Sequence, residues 1–175
     1  MIVKTGLMAL ALAALAALPL AHALEGSGSE AAADSSSPWH EVTSQDSLEA
    51  ALALAKDGKP VLLEFTGSDW CGWCKRLHKE VLDTPAFLKG AKDLVHLATV
   101  DMPKKRKLPA AEQAFKNDLV KSHKIEGYPT LVLLDASGKE IGRTGYQKGG
   151  PEKFLALLAG MIKGTTKQPE GSGGG

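Results

Sequence analysis

The chain has 175 residues, 21 basic against 20 acidic side chains and a formal net charge of +1, which suits one domain with a sizeable core. That balance gives no electrostatic reason to expect a nucleic acid or an anionic membrane surface as partner. There are two cysteines, where exported proteins stapled by disulfides usually carry several pairs, so the thiols are expected to work rather than to brace.

The N-terminus carries an export pattern. Lys4 is the only charge before Glu25, residues 6–18 are apolar or small, Pro19 breaks the run, and Ala21-His22-Ala23 offers an A-x-A cut. This predicts a cleavable signal peptide over residues 1–23, its apolar run falling short of the roughly 20 residues that cross a bilayer. The mature protein is then expected to be periplasmic or secreted, with no membrane anchor. Residues 24–38, rich in Gly, Ala and Ser, read as a disordered leader, and residues 164–175, ending in Gly-Ser-Gly-Gly-Gly, as a disordered tail. The folded unit is expected over residues 39–163.

Within it, helical and strand patterns alternate. Asp46 and Glu49 resemble a capping box, Leu48, Ala51, Leu52 and Ala55 share a face, and Gly58 is a stop, predicting a helix over 46–57. Val61–Phe65 reads as a buried strand in which Glu64 is out of place. A helix is predicted from Cys71 to Leu82, a buried strand over 94–100, and a helix over 109–123 with Pro109 in its first turn. Strands over 130–134 and 140–143 flank Asp135-Ala136-Ser137-Gly138 as a hairpin, and residues 151–162 form a last helix with Phe154, Leu155, Leu157 and Leu158 inward. That order implies an α/β fold, a central mixed sheet of about four strands flanked by helices.

Cys71-Gly72-Trp73-Cys74 holds both thiols at a predicted helix start. Unpaired backbone N–H groups and the helix dipole favour a thiolate there, and the thiolate is the form that attacks a disulfide. The chemistry expected is thiol–disulfide exchange.

Trp70-Cys71-Gly72-Trp73-Cys74-Lys75 together with Gly127-Tyr128-Pro129-Thr130 resembles the thioredoxin superfamily, and residues 65–77 resemble its exported bacterial members. The resemblance implies a thioredoxin-like fold, Cys71 as an exposed nucleophile and Cys74 as the buried resolving thiol. It also implies Pro129 as a cis-proline beside which substrate backbone pairs, and Trp70 as a shield on one side of the site. Gly72, Trp73 and Tyr128 join Trp70 and Pro129 as substrate-contact candidates, although packing on Trp73 is the simpler reading of Tyr128. Protein thiols and disulfides are the expected partners, with a membrane electron donor for regeneration, no organic cofactor and no metal. A monomer is expected.

Two departures matter. Gly72-Trp73 stands where thioredoxin has Gly-Pro, so redox direction does not transfer; the span between −270 mV and −180 mV is about 4 kcal/mol. Glu64 looks like the family's buried acid, one residue further upstream of the nucleophile and with a longer side chain. Burial disfavours a carboxylate's charge and suits it to carry a proton, so Glu64 is a third catalytic candidate. The alternative has it reach solvent or pair with Lys59.

Other features read more plainly. His78 shares a helix face with both cysteines, which raises Cu(I) or zinc handling, but three ligands on one helix rarely close a tetrahedral site, and a surface histidine is simpler. Lys104-Lys105-Arg106-Lys107 reads as a solvated loop and Trp39 as packing on the first helix, while the thioredoxin resemblance implies that the Gly149-Gly150-Pro151 turn borders the site. A peptide-binding module with an idle Cys pair is the remaining alternative.

Overall fold

In the computed structural model, which describes residues 37–164, the run Val61–Thr66 (β2) is the middle of a five-stranded sheet and is buried at every position. Around it lie Trp39–Glu41 (β1), His96–Asp101 (β3), Thr130–Leu134 (β4) and Glu140–Thr144 (β5), in the order β1-β3-β2-β4-β5. The β1, β3 and β2 strands run parallel, while β4 pairs antiparallel with both β2 and β5. A mixed sheet of this kind needs cover on both faces. Helices Gln45–Leu54 (α1), Gly72–Leu77 (α2), Pro85–Ala91 (α3), Ala110–Ser122 (α4) and Gly150–Ile162 (α5) supply it.

Successive strand residues point to opposite faces, and the core divides accordingly. Leu62, Leu97, Leu131 and Leu133 pack with Leu77, Val81, Phe87, Phe154 and Leu158, from α2 and the turn after it, α3 and α5. Val61, Leu63, Phe65, Val100 and Val132 pack on the other face with Ala51, Ala55 and Leu119, from α1 and α4. The same period places Glu64 and Thr66 with Leu62, beneath α2.

The sheet has one strand more than expected. β1 is a three-residue edge pairing with Leu97–Thr99, too short to show any alternation in sequence. Trp39 accordingly packs not on the first helix but on the α2 side, its ring 6.0 Å from that of His78. The first helix is capped by Ser44, whose side chain accepts from the backbone of Ser47 while the Ser47 hydroxyl answers, so the Asp46–Glu49 box is not the one used. It narrows to a 3-10 turn over Ala55–Asp57 and stops at Gly58, whose φ of 94° needs no Cβ. The predicted 71–82 helix is α2 followed by a π turn over His78–Leu82. Helix α3 was not expected: seven residues show little periodicity, and it is announced by the Thr84 cap and Pro85 in its first turn.

The predicted signal peptide, leader residues 24–36 and tail residues 165–175 lie outside the described residues. Among the described residues no helix is long and apolar enough to cross a membrane.

Candidate active site

The end of β2 delivers the chain into the Cys loop. Cys71 is the N-cap of α2, in extended backbone, and its Sγ accepts the N–H of Cys74 at 3.1 Å. The two cysteines are joined as a disulfide. Cys71 is only 5 % exposed and Cys74 1 %, so the expected open nucleophile is not seen in this oxidised state. Its sulfur turns inward to meet both Cys74 and the helix N–H.

On the loop side stands Trp70. Its indole N–H donates to the Met102 carbonyl at 2.8 Å, its ring meets Tyr128 edge-on at 5.5 Å, and the Lys104 ammonium lies 3.6 Å from the ring centre. Gly67 permits this: a Cβ there would come within 2.5 Å of the indole. Tyr128 thus packs on Trp70 rather than Trp73, and burial pushes its phenol pKa up. The peptide bond between Tyr128 and Pro129 is cis. Thr130 pairs with Phe65, which puts Pro129 at the same end of the sheet as the Cys loop.

The basic run is more than a solvated loop. Its side chains are exposed, but the backbone N–H groups of Lys104, Lys105 and Arg106 donate to the Asp69 carboxylate at 3.0, 2.7 and 3.2 Å. Those bonds, that from Lys104 foremost, hold the Asp69 pKa below its ordinary value. Beside them Asp101 accepts from the backbone and hydroxyl of Ser68, at 2.9 and 2.7 Å. Neither Asp69 nor Asp101 was singled out by the motif, because their partners lie more than thirty residues away.

On the helix side Trp73 is 42 % exposed. Its ring lies 5.3 Å from Tyr146, and the Arg76 guanidinium sits over both rings at 5.4 and 5.3 Å. Arg76 also pairs with Glu80 at 2.8 Å, and the Tyr146 hydroxyl donates to the same carboxylate, which raises the pKa of the phenol and lowers that of the acid. Gly72 opens onto free space. The Gly149-Gly150-Pro151 turn leads into α5.

Beneath α2, Glu64 is 0 % exposed and reaches neither solvent nor Lys59, which pairs with Asp57 instead. Both Glu64 oxygens lie 3.0 Å from Nε2 of His78, and Nδ1 of the same ring lies 3.0 Å from Asp83 Oδ1. His78 is therefore no ordinary surface histidine. Burial pushes its pKa down, but the hydrogen bonds and charge of Glu64 and Asp83 outweigh that and raise it to about 9. The pair forms where α2 passes into the wider π turn. A cavity of about 460 Å³ lies alongside, lined by Thr66, Ser68, Cys74, Lys75, His78 and Asp83 among others. Among the described residues no three His, Cys, Asp or Glu side chains are grouped to hold a metal ion.

Residues 48–162 match the family model described as a thioredoxin-like domain. The chain is similar to the disulfide bond reductase DsbH of Chlamydia pneumoniae, 34% identical over 115 residues that make up 66% of this chain and 69% of that protein. It is similar to the thioredoxin-related protein DsbJ of the same organism, 35% identical over 98 residues, 54% of this chain but only 28% of the relative. A solved structure of a DsbH oxidoreductase superposes with a TM-score of 0.61 at 34% identity, covering 65% of this chain and 79% of that one.

Proposed function

Since the chain belongs to the thioredoxin-like family and is a protein-disulfide oxidoreductase, we propose that it works as an exported reductase, passing electrons to disulfides of other exported proteins, rather than as an oxidase. The observation that carries the exchange chemistry is the Cys71–Cys74 disulfide at the start of α2, on the sheet end that also holds Pro129. The reducing direction is supported by the likeness to a relative named as a disulfide bond reductase.

In this reading the reduced pair begins the cycle. The Cys71 thiolate attacks a substrate disulfide, forming a mixed disulfide and releasing one substrate sulfur as a thiolate that takes a proton. Cys74 then attacks Cys71, breaking the bond to substrate and restoring the Cys71–Cys74 disulfide. Two electrons have moved to the substrate. A donor at the membrane returns them, and the Cys pair itself is the redox group, with no organic cofactor in the cycle. Substrate backbone pairs beside Pro129, while Trp70, Gly72, Trp73 and Tyr128 form the surface it meets. Glu64, buried beneath α2, enters through the His78 ring that both its oxygens hold.

Equilibration with glutathione buffers tests the direction. A potential near −270 mV is expected; one near −120 mV would make the protein an oxidant and overturn the reading. Replacing Cys71→Ser is expected to abolish insulin reduction, and full activity in that variant refutes the nucleophile.

A further inference from the structure

We infer that His78, not Glu64, governs the ionisation of the resolving thiol: its imidazolium, clamped between Glu64 and Asp83, shares a cavity with Cys74 and stabilises the Cys74 thiolate. This rests on Cys74 being the resolving thiol of the exchange reaction.

Topology supplies the first argument. His78 follows Cys74 by one helical turn, its backbone N–H bonding to the Cys74 carbonyl, so the two side chains share a face. Both line the 460 Å³ cavity. Glu64 does not line it; its two carboxylate oxygens are turned to Nε2 of His78. Of the Glu64–His78 pair, only the imidazole is on the wall that Cys74 shares.

The cavity supplies the second. Its wall includes Thr66, a 4 % exposed residue whose hydroxyl oxygen has no hydrogen-bond partner within the protein. A volume many times the roughly 30 Å³ that one water takes up, with a hydroxyl, a thiol and an imidazole on its wall, can carry a proton away from Cys74. The other charged groups facing it are Lys75 from α2, Lys79 from the π turn, Asp83 just after that turn and, through Ser68, Asp101 from β3. From β1 the uncharged Trp39 ring approaches His78, 6.0 Å away between ring centres. With its pKa raised to about 9, His78 is charged at neutral pH and acts as a fixed cation, not as a base.

The step balances without His78 changing state. Cys74 S–H gives its proton to water in the cavity. The thiolate attacks Cys71 Sγ, the Cys71–Cys74 bond forms as the Cys71–substrate bond breaks, and the substrate sulfur leaves as a thiolate that is protonated by solvent.

The test uses the full chain with Cys71→Ser, leaving Cys74 as the only thiol, and follows thiolate ultraviolet absorbance against pH with no substrate present. Adding Glu64→Gln and His78→Gln together removes both charges and leaves two groups able to hydrogen-bond. The Cys74 midpoint is expected to rise by about one pH unit, tenfold in the ionisation constant. A midpoint that stays or falls overturns the inference, a fall meaning that the Glu64 charge dominates. His78→Gln alone is expected to raise the midpoint further, because Glu64 is then unbalanced; the double variant still decides the matter if the single one does not fold. Insulin reduction by the chain with both cysteines tests the reductase reading separately.

Discussion

Trp70 and Trp73 flank one disulfide from two sides that are held in different ways. On the loop side, Trp70 is fixed by the Met102 carbonyl, the Tyr128 ring and a backbone latch in which Asp69 gathers three N–H groups of the basic loop. These are neutral donors, or a carboxylate that stays ionised throughout the physiological range. On the helix side, Trp73 lies open on Tyr146 and Arg76, and the turn beneath is held by Glu64, His78 and Asp83. The loop side is built to keep its shape, whereas the helix side carries the groups whose charge changes with pH.

The comparison breaks most readily at Trp70. Trp70→Ala removes a half-buried ring and the bond to Met102, and is expected to lower unfolding free energy by about 2–3 kcal/mol. Denaturant titration checks this, and a loss below about 0.5 kcal/mol would show that the loop stands without its tryptophan.

The helix side is expected to answer to pH where the loop side does not. Folding raises the His78 pKa from 6.5 to about 9, so it favours the charged ring. The resulting stability is fully present below pH 6.5 and is lost as pH rises through about 9. Discounted for the partial exposure of the ring, it is on the order of 1–2 kcal/mol. Denaturant midpoints of the oxidised protein should fall across that window, fall equally in Trp70→Ala, and stay level with Glu64→Gln and His78→Gln combined. A fall that persists in the combined variant would place the titrating group elsewhere.

Legibility in the sequence followed the same division by distance along the chain. Cys71, Cys74 and the Gly127–Thr130 segment were readable because each motif is local, and the β2, β4 and β5 runs because alternation and burial mark them. Glu64 and His78 were both visible, one as an acid in an apolar strand, the other as a histidine on the Cys face of a helix. Nothing local joined them: the pair needs β2 to turn Glu64 toward α2 and places His78 at the start of a π turn, which has no sequence signature of its own. The Asp69 latch was hidden for the same reason, its partners lying 35 to 37 residues downstream. Short elements escaped for want of length, β1 with three residues and α3 with seven.

The smallest change in stability is expected at Trp73, and it sharpens the contrast most. The ring is 42 % exposed and its contacts are to Tyr146 and the Arg76 guanidinium, both of which keep Glu80 as a partner without it. Trp73→Ala should therefore cost less than about 0.5 kcal/mol in unfolding free energy. If the exposed indole is kept for contact with substrate, the loss should appear as a several-fold rise in KM for a protein disulfide with kcat unchanged, the mark of lost ground-state binding. A stability loss equal to that of Trp70→Ala would mean that both sides are structural, and the difference drawn between them would fall.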